Sequence, residues 1–166
     1  MDHTTKPSVL YLYAGTRKSF YEQYKKGLVP DTQLLGLNYM NEFGISARFL
    51  EWPISNWLRR VNFNLVHVPY IFAIRRYDVV FICAGLPLVF LARWLLCWKR
   101  PKFVMYNTSL VNALKRNERG LLHFIITRAI RNIDAIVCTS LAQKDFLRKR
   151  GFKEENILYH PIGIDA

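Results

Sequence analysis

The chain has 166 residues, 51% of them hydrophobic and 22% charged, and this balance excludes an intrinsically disordered chain. Lysine and arginine number 24 against 12 acidic residues, and the net charge of +12 favours anionic partners, with a solvated basic surface as the alternative. The three cysteines form no Cys-x-x-Cys pair, which argues against a metal or redox site and favours free thiols in a reducing, cytoplasmic compartment.

Short apolar runs alternate with helical segments along the chain. In chain order we predict a strand at 8–13, a helix at 33–43, a strand at 45–50, an apolar helical region at 55–74 bent at Pro69, a strand at 78–83, a helix at 87–100, a strand at 102–106, a helix at 121–131, a strand at 134–139, a helix at 141–150 and a strand at 157–160. Asp31 or Thr32 is expected to cap the helix at 33–43, and Gly44 to close it.

No hairpin signal separates consecutive strands, so each must reach the next through a crossover. This pattern predicts a Rossmann-like, three-layer α/β domain with a mostly parallel sheet and helices on both faces. Such sheets bind ligands at the carboxyl ends of their strands. The informative loops are therefore those after Tyr13, Cys83, Tyr106 and Thr139.

The segment from Val79 to Trp98, VVFICAGLPLVFLARWLLCW, is nearly long enough to span a bilayer. Gly85 and Pro87 interrupt it, and Arg93 lies inside it. A buried strand followed by a core helix or a helix that dips into a membrane fits these residues better than a transmembrane helix.

The loop after the first strand contains Gly15, Thr16 and Arg17, followed by Lys18. Glycine lets backbone amides approach a phosphate, and the two cations would neutralise it, so these residues are candidates for substrate binding. The alternative is a flexible surface loop. Neither a G-x-G-x-x-G fingerprint nor a P-loop motif is present.

Asp31 and Thr32 form a second candidate site, because the helix start expected there would offer free amides to an anion. Asn107 and Thr108 after the fourth strand, and Ser140 after the fifth, place amide and hydroxyl groups that suit a sugar at the ligand edge. Ordinary caps and turns explain all five residues as well.

Catalytic residues are not identifiable from the pattern. No serine lies in a G-x-S-x-G elbow, and no D-x-D pair could hold a metal on a diphosphate. His67 and His123 lie in apolar segments and are expected to be core or interface residues. His160, at the end of the last strand, is a candidate interdomain residue.

Basic doublets at Arg59-Arg60, Arg75-Arg76 and Lys99-Arg100 flank helices rich in tryptophan and other aromatic residues. This mixture is typical of helices on an anionic membrane surface, with charged ends of core helices as the alternative. Nucleic acid is not an expected partner, because the basic residues are spread over helix ends rather than gathered in one reading element.

Three stretches of the chain share features with one known family. Residues 31–45 contain an expected helix that ends at a glycine turn, residues 134–147 match D-x-I-x-x-x-S-x-x-x-x-x-x-L, and residues 151–165 are similar to a segment ending in I-P-N-G-[VI]-D. Together they resemble the first helix, a later strand and helix, and the domain ending of the family 4 glycosyltransferases, which are retaining enzymes with a GT-B fold. The resemblance covers the N-terminal, acceptor-side half of such an enzyme.

The resemblance implies that residues 1–160 are one Rossmann-like domain and that 161–166 begin a linker to a second, donor-binding domain absent from this sequence. His160, Gly163 and Asp165 would then be interdomain residues. It also implies a nucleotide-diphosphate sugar as donor, no cofactor, no obligatory metal, and contact between the loop after strand one and the donor diphosphate. Two family features are replaced here, a Gly-Gly by Pro30-Asp31-Thr32 and a histidine by Asn107-Thr108, so no catalytic residue is assigned.

We therefore expect the N-terminal domain of a sugar transferase whose acceptor is a sugar or a lipid-linked molecule. It would be cytoplasmic, or peripheral at the inner face of a membrane, and inactive without its second domain. The alternative is a non-catalytic, membrane-associated module that recruits a separate donor-binding subunit.

Overall fold

One parallel sheet organises the protein, whose computed structural model describes residues 6–107, residue 110 and residues 120–160. The strands described are β1 Ser8–Leu12, β2 Ser46–Phe49, β3 Val79–Ile82, β4 Lys102–Tyr106, β5 Ala135–Cys138 and β6 Ile157–Tyr159. They lie in the order β2-β1-β3-β4-β5-β6, and every neighbouring pair is parallel. The predicted Rossmann-like α/β fold is confirmed.

Both faces of this sheet are covered by apolar clusters. Alternate residues of each strand point to opposite faces, so neighbouring residues belong to different clusters. Leu10 and Ile82 belong to a large apolar cluster on one face, while Tyr11 and Tyr13 pack with Leu34 on the other. Burial on both faces explains why the strands read as continuous apolar runs in the sequence.

Five α-helices are described: α1 Lys18–Lys25, α2 Pro53–Val61, α3 Leu86–Phe90, α4 Gly120–Ile130 and α5 Leu141–Lys149. A π-helical turn, Leu91–Leu95, continues α3. The helices predicted at 121–131 and 141–150 are confirmed to within one residue, whereas the one predicted at 87–100 ends at Leu95.

The helix predicted at 33–43 is wrong. Only two 3₁₀ turns form there, Thr32–Leu34 and Met40–Phe43, and Asp31 makes no side-chain cap. Leu35 and Gly36 both have positive φ, which ends any right-handed helix. The carbonyl of Leu34 also accepts a hydrogen bond from the phenol of Tyr13 at 2.6 Å, so the sheet fixes this segment.

The helical region predicted at 55–74 is also interrupted. It begins at Pro53, and α2 ends at Val61 because Asn62 has extended backbone and its side chain caps the next turn by accepting from the amide of Asn64. Three 3₁₀ turns follow: Phe63–Leu65, Val68–Tyr70 and Ala73–Arg76. The chain thus leaves the helix before Pro69, the predicted bend.

The long apolar segment folds as β3 followed by α3 and its π turn, as the sequence favoured. Among the described residues, no helix combines the length and the apolar character needed to cross a bilayer. Arg93 donates to Asp134 Oδ2 and to the carbonyl of Trp98, both at 2.8 Å. These bonds explain how a charged residue is accommodated inside the segment.

Candidate functional site

The carboxyl ends of β1, β2 and β3 meet in one cluster of loops. Tyr11 of β1 pairs with Phe49 of β2, and Leu12 pairs with Ile82 of β3, so the three strands end at the same level. The loops that follow are residues 13–17, 50–52 and 83–85. This is the edge at which parallel sheets bind ligands.

Glu51, in the loop after β2, holds the start of α1. Its Oε2 accepts hydrogen bonds from the backbone amides of Arg17 at 2.8 Å and Lys18 at 3.0 Å. The first amides of a helix have no partner within the helix and attract negative charge. The protein's own carboxylate therefore occupies part of the anion-binding position that the sequence suggested for a phosphate.

Two guanidinium groups lie over Gly15. A methyl group added at Gly15 would be 3.2 Å from Nη1 of Arg59 and 3.5 Å from Nη1 of Arg17. Arg17 lies 5.5 Å from the centre of the Tyr13 ring, and its Nη1 donates to the carbonyl of Thr16 at 3.1 Å. Its Nε is buried and has no hydrogen-bond partner in the described part of the chain.

His67 packs beneath the loop after β3. Its side chain is 1% exposed and presses on Gly85, where an added methyl group would lie 2.6 Å from Cδ2. Burial lowers the pKa of His67 to about 3, and neither ring nitrogen has a partner among the described residues. The expected core location is confirmed, and at neutral pH the ring carries no charge.

Tyr11, Tyr13 and Cys83 form the floor of the loop cluster. Burial raises the pKa of Tyr11 to about 12 and that of Cys83 to about 12, and it raises the pKa of Tyr13 further. All three groups are therefore protonated at neutral pH. The phenols of the two tyrosines donate to the carbonyls of Leu35 and Leu34, which gives them a structural role.

Asp31 has partners within its own loop. A hydrogen bond from Tyr39 and another from the side-chain amide of Asn38, at 3.0 Å, hold the pKa of Asp31 below its usual range. Thr32 is exposed beside it. Substrate binding by these two residues stays a prediction.

Asn107 and Ser140 both make contacts typical of caps. Asn107 is fully buried and accepts from the amide of Leu110 at 3.1 Å. Ser140 Oγ accepts from the amide of Gln143 at 3.3 Å, and Gln143 in return accepts from the amide of Thr139 at 3.0 Å. These bonds match the alternative interpretation of ordinary caps and turns, and Ser140 caps the start of α5.

His160 is exposed, and its backbone amide donates to the carbonyl of Cys138 at 2.8 Å, which extends the pairing beyond β6. Thr108, Gly163 and Asp165 lie outside the described residues. Over residues 6–107, 110 and 120–160, no group of three or more histidine, cysteine and acidic residues could hold a metal ion.

The site residues that sequence reasoning missed are Glu51 and Arg59. Glu51 follows a strand directly, so the rule that selected the other carboxyl-end loops could have found it. Arg59 lies in a basic doublet that was assigned to a membrane surface. Only the fold shows that its side chain turns toward Gly15 while its neighbour Arg60 is exposed.

The comparisons with known proteins agree with this geometry. The model of the family described as Glycosyltransferase Family 4 matches residues 9–166, almost the entire chain. A search of curated proteins finds no match.

Proposed function

The chain belongs to glycosyltransferase family 4, and on that premise we propose that it forms the acceptor side of a retaining transferase using a nucleotide-diphosphate sugar. The observation that supports this proposal most is the meeting of three carboxyl-end loops over a basic site at Gly15. A parallel sheet with polar and cationic groups at this edge suits a sugar and an anionic substrate.

The chemistry of glycosyl transfer places charge on the departing diphosphate and on the sugar ring. Such charge is stabilised by preorganised donors and cations rather than by a nucleophile of the protein. Arg17 and Lys18 could supply part of this field without contacting the diphosphate, because Glu51 takes the amides at the start of α1. Cys83 and the buried tyrosines are protonated, and the tyrosines donate to backbone carbonyls, so we assign none of the three as nucleophile or base. No metal ion is required in this proposal.

A second domain is needed to complete the reaction. We propose that residues 1–160 form the acceptor-side domain, that 161–166 begin the linker, and that a donor-binding domain follows. His160, Gly163 and Asp165 would lie near that junction. The 166-residue chain alone should therefore transfer no sugar.

The deciding experiment uses the protein encoded by the full reading frame. Radiolabelled UDP-, GDP- and ADP-sugars are offered with a membrane lipid extract and with simple sugars as acceptors, and the anomeric configuration of the product is read by NMR. Transfer with retention supports the proposal. Transfer with inversion contradicts the retaining assignment, and failure with every donor and acceptor contradicts the transferase.

A membrane-borne acceptor is favoured by α2. Ile54, Trp57 and Val61 follow the i, i+3, i+7 spacing of one helix face and are 52%, 60% and 64% exposed. Arg60 is exposed beside them. An apolar stripe with adjacent cations suits an anionic lipid surface, so we propose a cytoplasmic protein that contacts the inner face of a membrane peripherally.

The same stripe favours the second candidate, a non-catalytic membrane-associated module that recruits a separate donor-binding subunit. The reading frame distinguishes the two. A second α/β domain after residue 166 supports the enzyme, and a stop codon there supports the module.

A further inference from the structure

Arg17 and Arg59 bring two positive charges to the same glycine from different elements. Arg17 precedes α1, and Arg59 comes from the last turn of α2. Their Nη1 atoms lie 3.5 and 3.2 Å from the same point over Gly15. Within the described ranges, neither guanidinium forms an ion pair.

Two like charges this close repel each other unless an anion lies between them. The carboxylate in the adjoining loop, Glu51, does not take that position, because it accepts from the backbone amides of Arg17 and Lys18. We infer that Arg17 and Arg59 form a subsite for an oxyanion, a phosphate or a carboxylate, carried by the acceptor. This inference rests on the proposed transferase function and adds a chemical class of acceptor to it.

The Arg17 guanidinium is already positioned for such a ligand. It stacks over Tyr13 and is held by the carbonyl of Thr16, so little conformational freedom is left to lose on binding. Its buried Nε lacks a partner in the described structure, and a buried donor without a partner is costly. An oxyanion beside Gly15 could accept from both guanidinium groups.

The position of Glu51 favours the acceptor over the donor as the source of this anion. A diphosphate at the start of α1 would need the amides that Glu51 already occupies. The orientation of α2 also favours the acceptor. At about 100° per residue, Arg59 lies nearly opposite Trp57 on the helix. One helix therefore connects the subsite to the exposed apolar stripe, which we propose contacts the membrane that carries the acceptor.

An NMR titration of the full chain tests the subsite, with the amide signal of Gly15 as the reporter. The probes are inorganic phosphate and glycerol 3-phosphate for the monophosphate class, and pyrophosphate and UDP for the diphosphate class. We expect saturable shifts at Gly15 with the monophosphates. Tenfold tighter binding of pyrophosphate or UDP than of the monophosphates would overturn the acceptor assignment, and no saturable shift with any probe would overturn the subsite.

Variants separate the subsite from general attraction to a basic protein. Arg17→Gln and Arg59→Gln should each weaken binding about tenfold or more, as loss of a charged hydrogen bond does. The matched controls Lys26→Gln and Arg60→Gln remove the same charge from exposed positions at the end of α1 and in α2, and each should change binding less than twofold. Equal losses in all four variants would show unspecific ion binding and overturn the inference. Circular dichroism checks that each variant is folded, and the neutral Arg59→Met replaces Arg59→Gln if the latter does not fold.

This binding test is independent of transferase activity. Phosphate binding at Gly15 without sugar transfer by the full-length protein would remove the proposed function and leave the anion subsite. Sugar transfer without phosphate binding at Gly15 would remove the subsite and leave the function.

Discussion

The carboxylate of Glu51 accepts a hydrogen bond from the backbone amide of Arg17 at 2.8 Å, which ties the end of β2 to the start of α1. The two residues are 34 positions apart in the chain. The same oxygen also accepts from the amide of Lys18. Glu51 therefore caps the start of α1 from another loop, a role that the side chain of the N-cap residue normally has.

Glu51→Ala should lower the free energy of unfolding by about 1–2 kcal/mol, because α1 loses its acceptor and a favourable charge at its start. Urea denaturation measures the change. Glu22→Ala, an exposed substitution within α1, is the matched control and should change stability by less than about 0.5 kcal/mol. Equal effects of the two substitutions would contradict a capping role for Glu51.

Gly85→Ala should be among the most destabilising substitutions, at about 3 kcal/mol or more. Gly85 has φ of +75°, which disfavours a side chain, and the new methyl group would meet His67 at 2.6 Å. Thermal and urea unfolding measure the loss.

Gly27→Ala isolates the backbone part of that cost. Gly27 has φ of +70° with no atom within 4 Å of an added methyl group, so a loss of about 1–2 kcal/mol is expected. Similar losses for Gly85→Ala and Gly27→Ala would mean that contact with His67 contributes nothing.

His67 should make the protein less stable as the pH falls. Its pKa is about 3 in the folded protein against 6.5 as the ordinary value, so below pH 6.5 the unfolded chain binds a proton that the folded protein excludes. The free energy of unfolding then falls by up to about 1.4 kcal/mol per pH unit between 6.5 and 3. Urea titrations at several pH values measure this slope.

His67→Leu should flatten the slope, and at pH 7.5 it should cost little, since it removes two buried nitrogens that lack partners among the described residues. His160→Leu, at an exposed position, should keep the slope of the original protein. Identical pH profiles for His67→Leu and the original protein would exclude a proton linkage at His67.

Trp57→Ser should reduce binding to phosphatidylglycerol vesicles about tenfold or more, since burying a large apolar side chain contributes about 1.5–3 kcal/mol. Vesicle sedimentation measures the affinity. Leu28→Ser removes another well-exposed apolar residue outside α2 and should leave binding unchanged. If the original protein binds neither phosphatidylglycerol nor phosphatidylcholine vesicles, the membrane proposal fails.

The sheet could be predicted from sequence because its strands are buried on both faces, and runs such as residues 79–82 are apolar whichever way each side chain points. The segment at 33–43 could not. Its leucines have helical spacing, but the phenols of Tyr11 and Tyr13 take its carbonyls, and that contact depends on the folded sheet.

Only part of the candidate site could be predicted from sequence. The loop at Gly15 could be selected because it follows a strand, and parallel sheets bind ligands at the carboxyl ends of their strands. The contact of Arg59 with the Gly15 loop depends on the direction in which α2 leaves β2, and no local sequence pattern predicts that direction. Asn107 and Ser140 were ambiguous because the groups that cap helices are also the groups that bind sugars.

Asp134, which opens the D-x-I stretch, joins three parts of the protein through one carboxylate oxygen. Oδ2 accepts from Nη2 of Arg93 at 2.8 Å and from the backbone amide of Phe103 at 2.7 Å, at the edge of the sheet opposite the loops around Gly15. The aspartate of this stretch therefore has a structural role, at the opposite end of the strands from the proposed site around Gly15. A protein could therefore keep this aspartate, and still match the sequence pattern of the family, after it had lost the ability to transfer a sugar.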